Sequence, residues 1–174
     1  MGTRHATIVI AGGKNKIAQY GQWDGYPDGQ GLTVLNFLTV EGNIERLKAG
    51  IKKVRFATKK DEKDKEAFFK EMGCEDGWMN MTQAEAFKDK YPLLSRDVGA
   101  EILEAVSSLE DEAFLVDSSD FVNDGLFCEW AWEVNLDKGT LRELQNGEVT
   151  FQLDALPNEK EFLAAFATEE EDDY

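Results

Sequence analysis

The chain has 174 residues, 42% of them apolar and 11% aromatic, which is enough to bury a core without metal or disulfide staples and excludes a wholly disordered protein. A net charge of −16 repels phosphate over most of the surface and argues against a general nucleic-acid binder. The one histidine, His5, argues against a histidine-based metal site and against a Ser-His-Asp triad, and no cofactor or metal is expected.

Charge is segregated along the chain. Residues 1–60 carry ten Lys/Arg and four Asp/Glu, whereas residues 61–115 carry six and fifteen, and residues 116–174 three and sixteen. A mildly basic first third is thus joined to a strongly acidic remainder, which favours basic partners or serves solubility alone. Cys74 and Cys128 lack CxxC spacing and read as buried free thiols of a reducing compartment. Ala6 to Ala11 is too short for a signal-peptide core, and no stretch approaches a membrane span. Met1-Gly2 opens like an N-myristoylation signal, but Ala6 stands where Ser or Thr is required. A cytoplasmic protein is expected.

In chain order, Ala6-Thr7-Ile8-Val9-Ile10-Ala11 reads as a strand buried on both faces, Gly12-Gly13-Lys14-Asn15 as a turn, and Lys16 to Tyr20 as the returning strand. This hairpin predicts that Arg4 and His5 lie beside Tyr20 to Trp23. The next stretch, Gln19 to Gly31, holds four glycines and a proline among two tyrosines, a tryptophan, three amides and two carboxylates. That polar-aromatic density exceeds what a connection needs, and Tyr26-Pro27-Asp28-Gly29 is a strong turn.

Leu32 to Val40 predicts a short helix. Asn43 is expected to cap a second one with Ile44, Leu47, Ile51 and Val54 inward and Arg46, Lys48, Lys52 and Lys53 outward, continued by Arg55, Lys59 and Lys60. That basic patch is either a solvated face or an anion site. Asp61 to Glu71 predicts a helix with Phe68, Phe69 and Met72 inward. Thr82-Gln83-Ala84-Glu85 matches a capping box, and Ser95 is expected to cap a helix burying Val98, Ile102, Leu103, Val106 and Leu109. Arg96 in its first turn opposes the helix dipole, so it either faces an anion or lies on the surface.

Phe114 to Asp117 is expected to open the C-terminal β region. Leu126 to Leu136 alternates with period two over eleven residues and predicts its main strand, with Trp130 and Trp132 on one face. Asp137-Lys138-Gly139 and Asn146-Gly147 predict two turns of a three-strand meander, the second of type I′. A last helix follows Pro157, capped by Asn158, and Glu169 to Asp173 reads as a disordered acidic tail. The fold class expected is α+β: an N-terminal β-hairpin and a C-terminal three-strand antiparallel meander in one sheet, packed with several short helices. One domain spans 1–168, and the tail 169–174.

Three kinds of chemistry have candidate residues in the chain. Gly25, Gly29 and Gly31 precede a helix without a Gly-Lys-Ser/Thr or dinucleotide fingerprint, so they leave only a generic anion-holding turn. Asp24 and Asp28, facing Glu129 or Glu133, form a possible acid/base pair, one that chance produces readily among 35 acidic residues. An N-terminal nucleophile fails, because removal of Met1 exposes Gly2.

Met1-Gly2-Thr3-Arg4-His5, Ala18 to Pro27, Tyr91 to Asp97 and Leu126 to Ala131 together resemble a family of small, uncharacterised bacteriophage and prophage proteins, over residues 1 to about 145. The resemblance implies a phage-associated intracellular protein and carries no catalytic roles. Three functions remain open. One is an acidic inhibitor of a host defence component with a basic surface, in its sharper form a nucleic-acid mimic of anti-CRISPR type. Another is a binder of a small anionic ligand such as a nucleotide signal, its pocket formed by Arg4, His5, Tyr20, Gln22, Trp23, Asp24, Tyr26 and Arg96. The third is a hydrolase using the same loop. Binding is preferred to catalysis, because no nucleophile-base pair or metal set stands out.

Overall fold

A computed structural model describes residues 2–74, 78–95 and 97–167; Arg96 and the acidic tail lie outside the described residues. His5–Ala11 (β1) and Lys14–Gly21 (β2) form the N-terminal hairpin, antiparallel with a bulge between Val9 and Ile10. Its turn places Gly12 at φ 62° and Gly13 at φ 71°, left-handed geometry that residues with a side chain resist. The Asp137 carboxylate accepts both glycine amides, at 2.9 and 2.8 Å, and these bonds hold its pKa below the usual carboxylate range.

The chain then leaves the sheet. Pro27–Gly31 makes one π-helical turn that runs into Leu32–Thr39 (α1), followed by Asn43–Gly50 (α2) and the short strand Val54–Phe56 (β3). Lys59–Glu71 (α3), Met81–Lys90 (α4) and Ile102–Ser107 (α5) precede Ala113–Leu115 (β4) and Ser119–Val122 (α6). Trp130–Asn135 (β5), Thr140–Glu143 (β6) and Thr150–Gln152 (β7) form the C-terminal meander, and Glu159–Ala164 (α7) follows it.

The fold is α+β. The five-stranded sheet has the order β2-β1-β5-β6-β7, with β1 and β5 parallel and every other pairing antiparallel. The hairpin and the meander share one sheet, as the sequence predicts, and β1 is buried on both faces. Val9, Ile17, Trp132, Val134 and Leu141 meet α1, α2 and α5 in the larger core, while Ala6 and Ile8 meet Cys128 and Ala131 on the other face. Trp132 is fully buried, stacked on Trp130 and capped by Phe162 and Phe166 from the C-terminal segment. Both cysteines are free and buried.

Several local expectations are corrected. The alternation from Leu126 to Leu136 becomes strand only from Trp130. The Asp124 side chain accepts the Leu126 and Phe127 amides and its carbonyl accepts that of Cys128, so the first part is a turn that leaves Leu126 78% exposed. Phe114 and Leu115 pair in parallel with β3 in a separate two-stranded sheet, not with the meander. Asn80, not Thr82, caps α4, in a capping box with Gln83, because Met81 already has helical backbone. Asn43 begins α2 rather than capping it, its amide donating to the Phe37 carbonyl at 2.9 Å. Helix begins at Gly99 with a 3₁₀ turn, so Ser95 is not its cap.

The β6–β7 connection is likewise not a two-residue turn. The buried Glu143 carboxylate accepts the backbone amides of Ala131 (3.0 Å), Gln145 (2.9 Å) and Asn146 (2.6 Å), which opens a wider loop. Removing this acceptor orphans amides inside the fold. Glu143→Ala is expected to lower unfolding stability by roughly 2–4 kcal/mol and Glu143→Gln by less, read as a lower urea midpoint at unchanged m-value.

Candidate functional site

The stretch singled out in the sequence forms one end of the sheet, where β1 begins, β2 ends and β5 begins. The pairings His5↔Gly21 and His5↔Trp130 bring three distant segments together there. The loop is threaded by backbone bonds: Gly25 N donates to Thr3 O (3.1 Å), Gln30 N to Asp24 O (2.7 Å), and Gly29 N and Gly31 N to Tyr26 O (3.0 and 3.1 Å). The Trp132 indole N–H donates to Gly25 O at 3.0 Å, and the Gln30 side-chain oxygen accepts Ala100 N at 2.8 Å. Close approach explains the glycines. A Cβ on Gly21 would fall 2.1 Å from His5 Nε2, one on Gly25 2.7 Å from His5 Cβ, and one on Gly31 2.8 Å from the Trp132 ring.

His5 fills the space those glycines leave. It is 1% exposed, and neither ring nitrogen has a hydrogen-bond partner of normal geometry; Thr7 Oγ1, two residues along the same strand face, is also buried without one. Burial lowers the His5 pKa from 6.5 to about 4, opposed by the Trp23 backbone and the Asp24 charge. Asp24 itself adopts a left-handed backbone at φ 57°, tolerated by Asp more readily than by most residues.

The predicted site residues do not share one pocket. His5 is sealed inside, while Trp23 and Tyr26 are each 51% exposed and Asp24 is exposed. Alternation sends Arg4 to the opposite side from His5, where its guanidinium lies 4.8 Å over the Phe127 ring. Tyr20 packs edge-on against Phe121 at 4.8 Å. Tyr20 and Gln22 line a cleft of about 220 Å³ between the β2 edge and the segment Leu93 to Ser95. Arg96 lies outside the described residues.

Other readings fail on hydrogen-bond accounting. The amides of Gly29, Gln30 and Gly31 are spent inside the turn, so no free anion cradle precedes α1. Glu129 accepts Arg4 N at 2.9 Å, and the buried Glu133 pairs with Arg142 at 2.9 Å, so neither is poised as an acid/base partner for Asp24 or Asp28. The basic patch is largely neutralised: Arg46 bonds Glu104, Lys48 bonds Glu45, Arg55 bonds Asp61 and Glu112, and Lys53 donates to Leu109 O. Among the described residues no group of three or more His, Cys, Asp or Glu is placed to hold a metal.

The sequence marks Gln30 as part of this end but not Thr7, Trp132 or Phe127. Thr7 was accessible through its i+2 relation to His5; Trp132 and Phe127 required the tertiary fold. No family model matches the chain, and neither a curated protein nor a solved structure is similar to it.

The imidazole gives a testable pH dependence. The unfolded chain takes up the His5 proton near pH 6.5, and the folded chain only near pH 4. Stability is therefore complete above pH 6.5 and falls as pH drops through this window, by at most about 3 kcal/mol. Denaturant melts from pH 7 to 4 are expected to show this slope and a His5→Leu variant to lack it. The carboxylates of Asp61, Glu104 and Asp137, held low by hydrogen bonds, begin to give up their contribution as pH falls below their unfolded values of 3.8 to 4.5, so the His5 slope is read above pH 4.5 and the later fall persists in His5→Leu.

Proposed function

We propose that the chain acts by binding, with Trp23 and Tyr26 anchoring a protein partner and the acidic charge selecting one with a basic surface. The observation that carries this reading is the presentation of the two rings. Each is half-exposed on a backbone fixed on both sides by the Gly25, Gln30 and Tyr26 hydrogen bonds. Trp23 rests on Gly2, and Tyr26 meets Trp130 edge-on at 6.4 Å. Aromatic anchors held rigidly lose little conformational entropy on association, which is why such residues dominate interfaces. Leu126 and Phe127 are exposed beside Arg4 at the same end of the sheet.

The nature of the partner follows from charge and resemblance. A net charge of −16 repels nucleic acid and favours cationic protein surfaces. In keeping with the resemblance to bacteriophage proteins, the partner in this reading is a host defence component in the cytoplasm, whose nucleic-acid groove an acidic protein occupies. Such an inhibitor works by competition. In native mass spectrometry of gently recovered protein, a partner tens of kilodaltons in mass is expected, released on raising salt from roughly 50 to 500 mM. Trp23→Ala and Tyr26→Ala are each expected to weaken capture by about thirtyfold, with the melting temperature nearly unchanged. Salt-insensitive capture, or capture indifferent to both variants, overturns the reading.

One observation favours small-ligand binding instead: the 220 Å³ cleft beside Gln19, Tyr20, Gln22 and Ser95. It is smaller than most ligand sites and suits a single planar ring better than a whole nucleotide. An adduct of a few hundred daltons that Gln22→Ala abolishes and Trp23→Ala leaves intact is the result that decides for it.

A further inference from the structure

A second surface, built from elements that take no part in the Trp23–Tyr26 end, has the composition of a cation receptor. In α3, Asp61, Asp64, Phe68 and Glu71 follow one another at spacings of three, four and three, which puts them on one face of the helix. That face lines a cleft of about 390 Å³, closed on its other sides by Lys90 and Tyr91 at the end of α4 and by Phe114 of β4. The volume lies within the range typical of sites for small organic groups.

The rings form a continuous wall. Phe68 and Tyr91 meet edge-on at 5.7 Å, and Tyr91 and Phe114 at 5.5 Å. Two cations of the chain itself already use this wall: Lys90 Nζ lies 4.8 Å over the Phe68 ring and Arg55 Cζ 5.5 Å over Phe114. Arg55 is committed, bonded to both Asp61 and Glu112. Lys90 is exposed and free to swing aside.

Three groups in the cleft are left over. Asp64 and Glu71 are exposed, and among the described residues neither makes a hydrogen bond or ion pair; nor does the Tyr91 hydroxyl, although Tyr91 is only 8% exposed. Burial, and then the charges of Asp64 and Asp61, raise the Tyr91 pKa, so the phenol stays protonated and faces the carboxylates as a donor and acceptor. Carboxylates above aromatic faces recognise a flat, delocalised cation, which stacks on the rings while its edge N–H groups bond the oxygens.

We propose that this cleft receives an arginine side chain of a basic protein partner, its guanidinium stacked on the Phe68, Tyr91 and Phe114 wall and bonded by Asp64, while Glu71 takes the next basic side chain of the same segment. Charge complementarity commits the site to this occupant: the segment 61–115 is strongly acidic, and the backbone positions of Asp64 and Glu71 are about 10 Å apart along the helix axis. That separation suits successive basic side chains of one extended segment. The inference deepens the proposed reading by naming the chemistry through which the acidic part holds its partner.

The test is calorimetric titration of the full chain, at about 50 mM salt, with a short arginine-rich peptide, a lysine peptide of equal charge, and spermidine. Saturable binding of the arginine peptide is expected, at least about fivefold tighter than the lysine peptide. Asp64→Asn combined with Glu71→Gln is expected to weaken it by about tenfold or more, and Lys90→Ala, which clears the Phe68 face and removes a like charge, to tighten it. Shifts of the Phe68 and Tyr91 ring resonances on binding localise the peptide. The inference is overturned if the double variant binds like the parent while both melt alike, or if Lys90→Ala weakens binding. Spermidine matching the peptide assigns the cleft to free polycations and overturns it too. Loss of peptide binding in Trp23→Ala moves the binding to the Trp23–Tyr26 end, which overturns the cleft and leaves the proposed function standing.

Discussion

β1 and β5 run parallel at the centre of the sheet, and a parallel pair cannot be closed by a tight turn. The chain between them must cross over, and among the described residues every α-helix but α7 lies in that crossover. The pairing register sets His5 against Trp130 and Thr7 against Trp132. From it follow the burial of His5, the stacking of the two tryptophans, and the position of the loop that Trp132 holds through the Gly25 carbonyl. The antiparallel neighbours β2 and β6 extend this central pair outward.

The end of the sheet near His5 is costly to build. A buried imidazole and a buried threonine hydroxyl without partners forgo hydrogen bonds that water would supply, and Asp24 holds a backbone that most residues avoid. Aromatic packing around Trp132 and the hydrogen bonds of the loop offset these costs. What the arrangement leaves outside is a pair of aromatic rings at fixed positions, on a loop with few unspent backbone groups. Rigidity of this kind serves recognition better than it serves a moving lid.

The acidic composition divides into two populations. Glu143, Glu133, Asp137 and Asp61 are structural: each is bonded to backbone amides or to a partner arginine, and each organises a turn, a strand pair or a helix start. Others, such as Asp64 and Glu71, stand exposed beside aromatic rings. The structural carboxylates shape the molecule, while the exposed ones set its field. A single net charge conceals this division, because pairing depends on neighbours that sequence does not order.

The elements with strong local signals were legible. The β-branched run of β1, its double-glycine turn, the Trp130–Asn135 alternation and the Asn158 cap each announce themselves through backbone sterics or period, and they yield the α+β class with hairpin and meander in one sheet. The convergence of His5 with Gly21 was legible too, as hairpin geometry. The parallel junction of hairpin and meander, the separate β3–β4 pair and the wide loop gathered by Glu143 were not, because each depends on contacts between residues far apart in sequence. Nor could the seven described candidate residues be sorted into sealed, exposed and cleft-lining groups, since alternation splits neighbours such as Arg4 and His5 between faces and only the packed sheet says which face is covered. Sequence alone determined which segments are stiff, apolar or turned, for these are local properties of the chain. Which polar groups meet, which carboxylates are spent and which rings stay in water was decided by the tertiary structure, because burial and pairing exist only once distant segments share a volume.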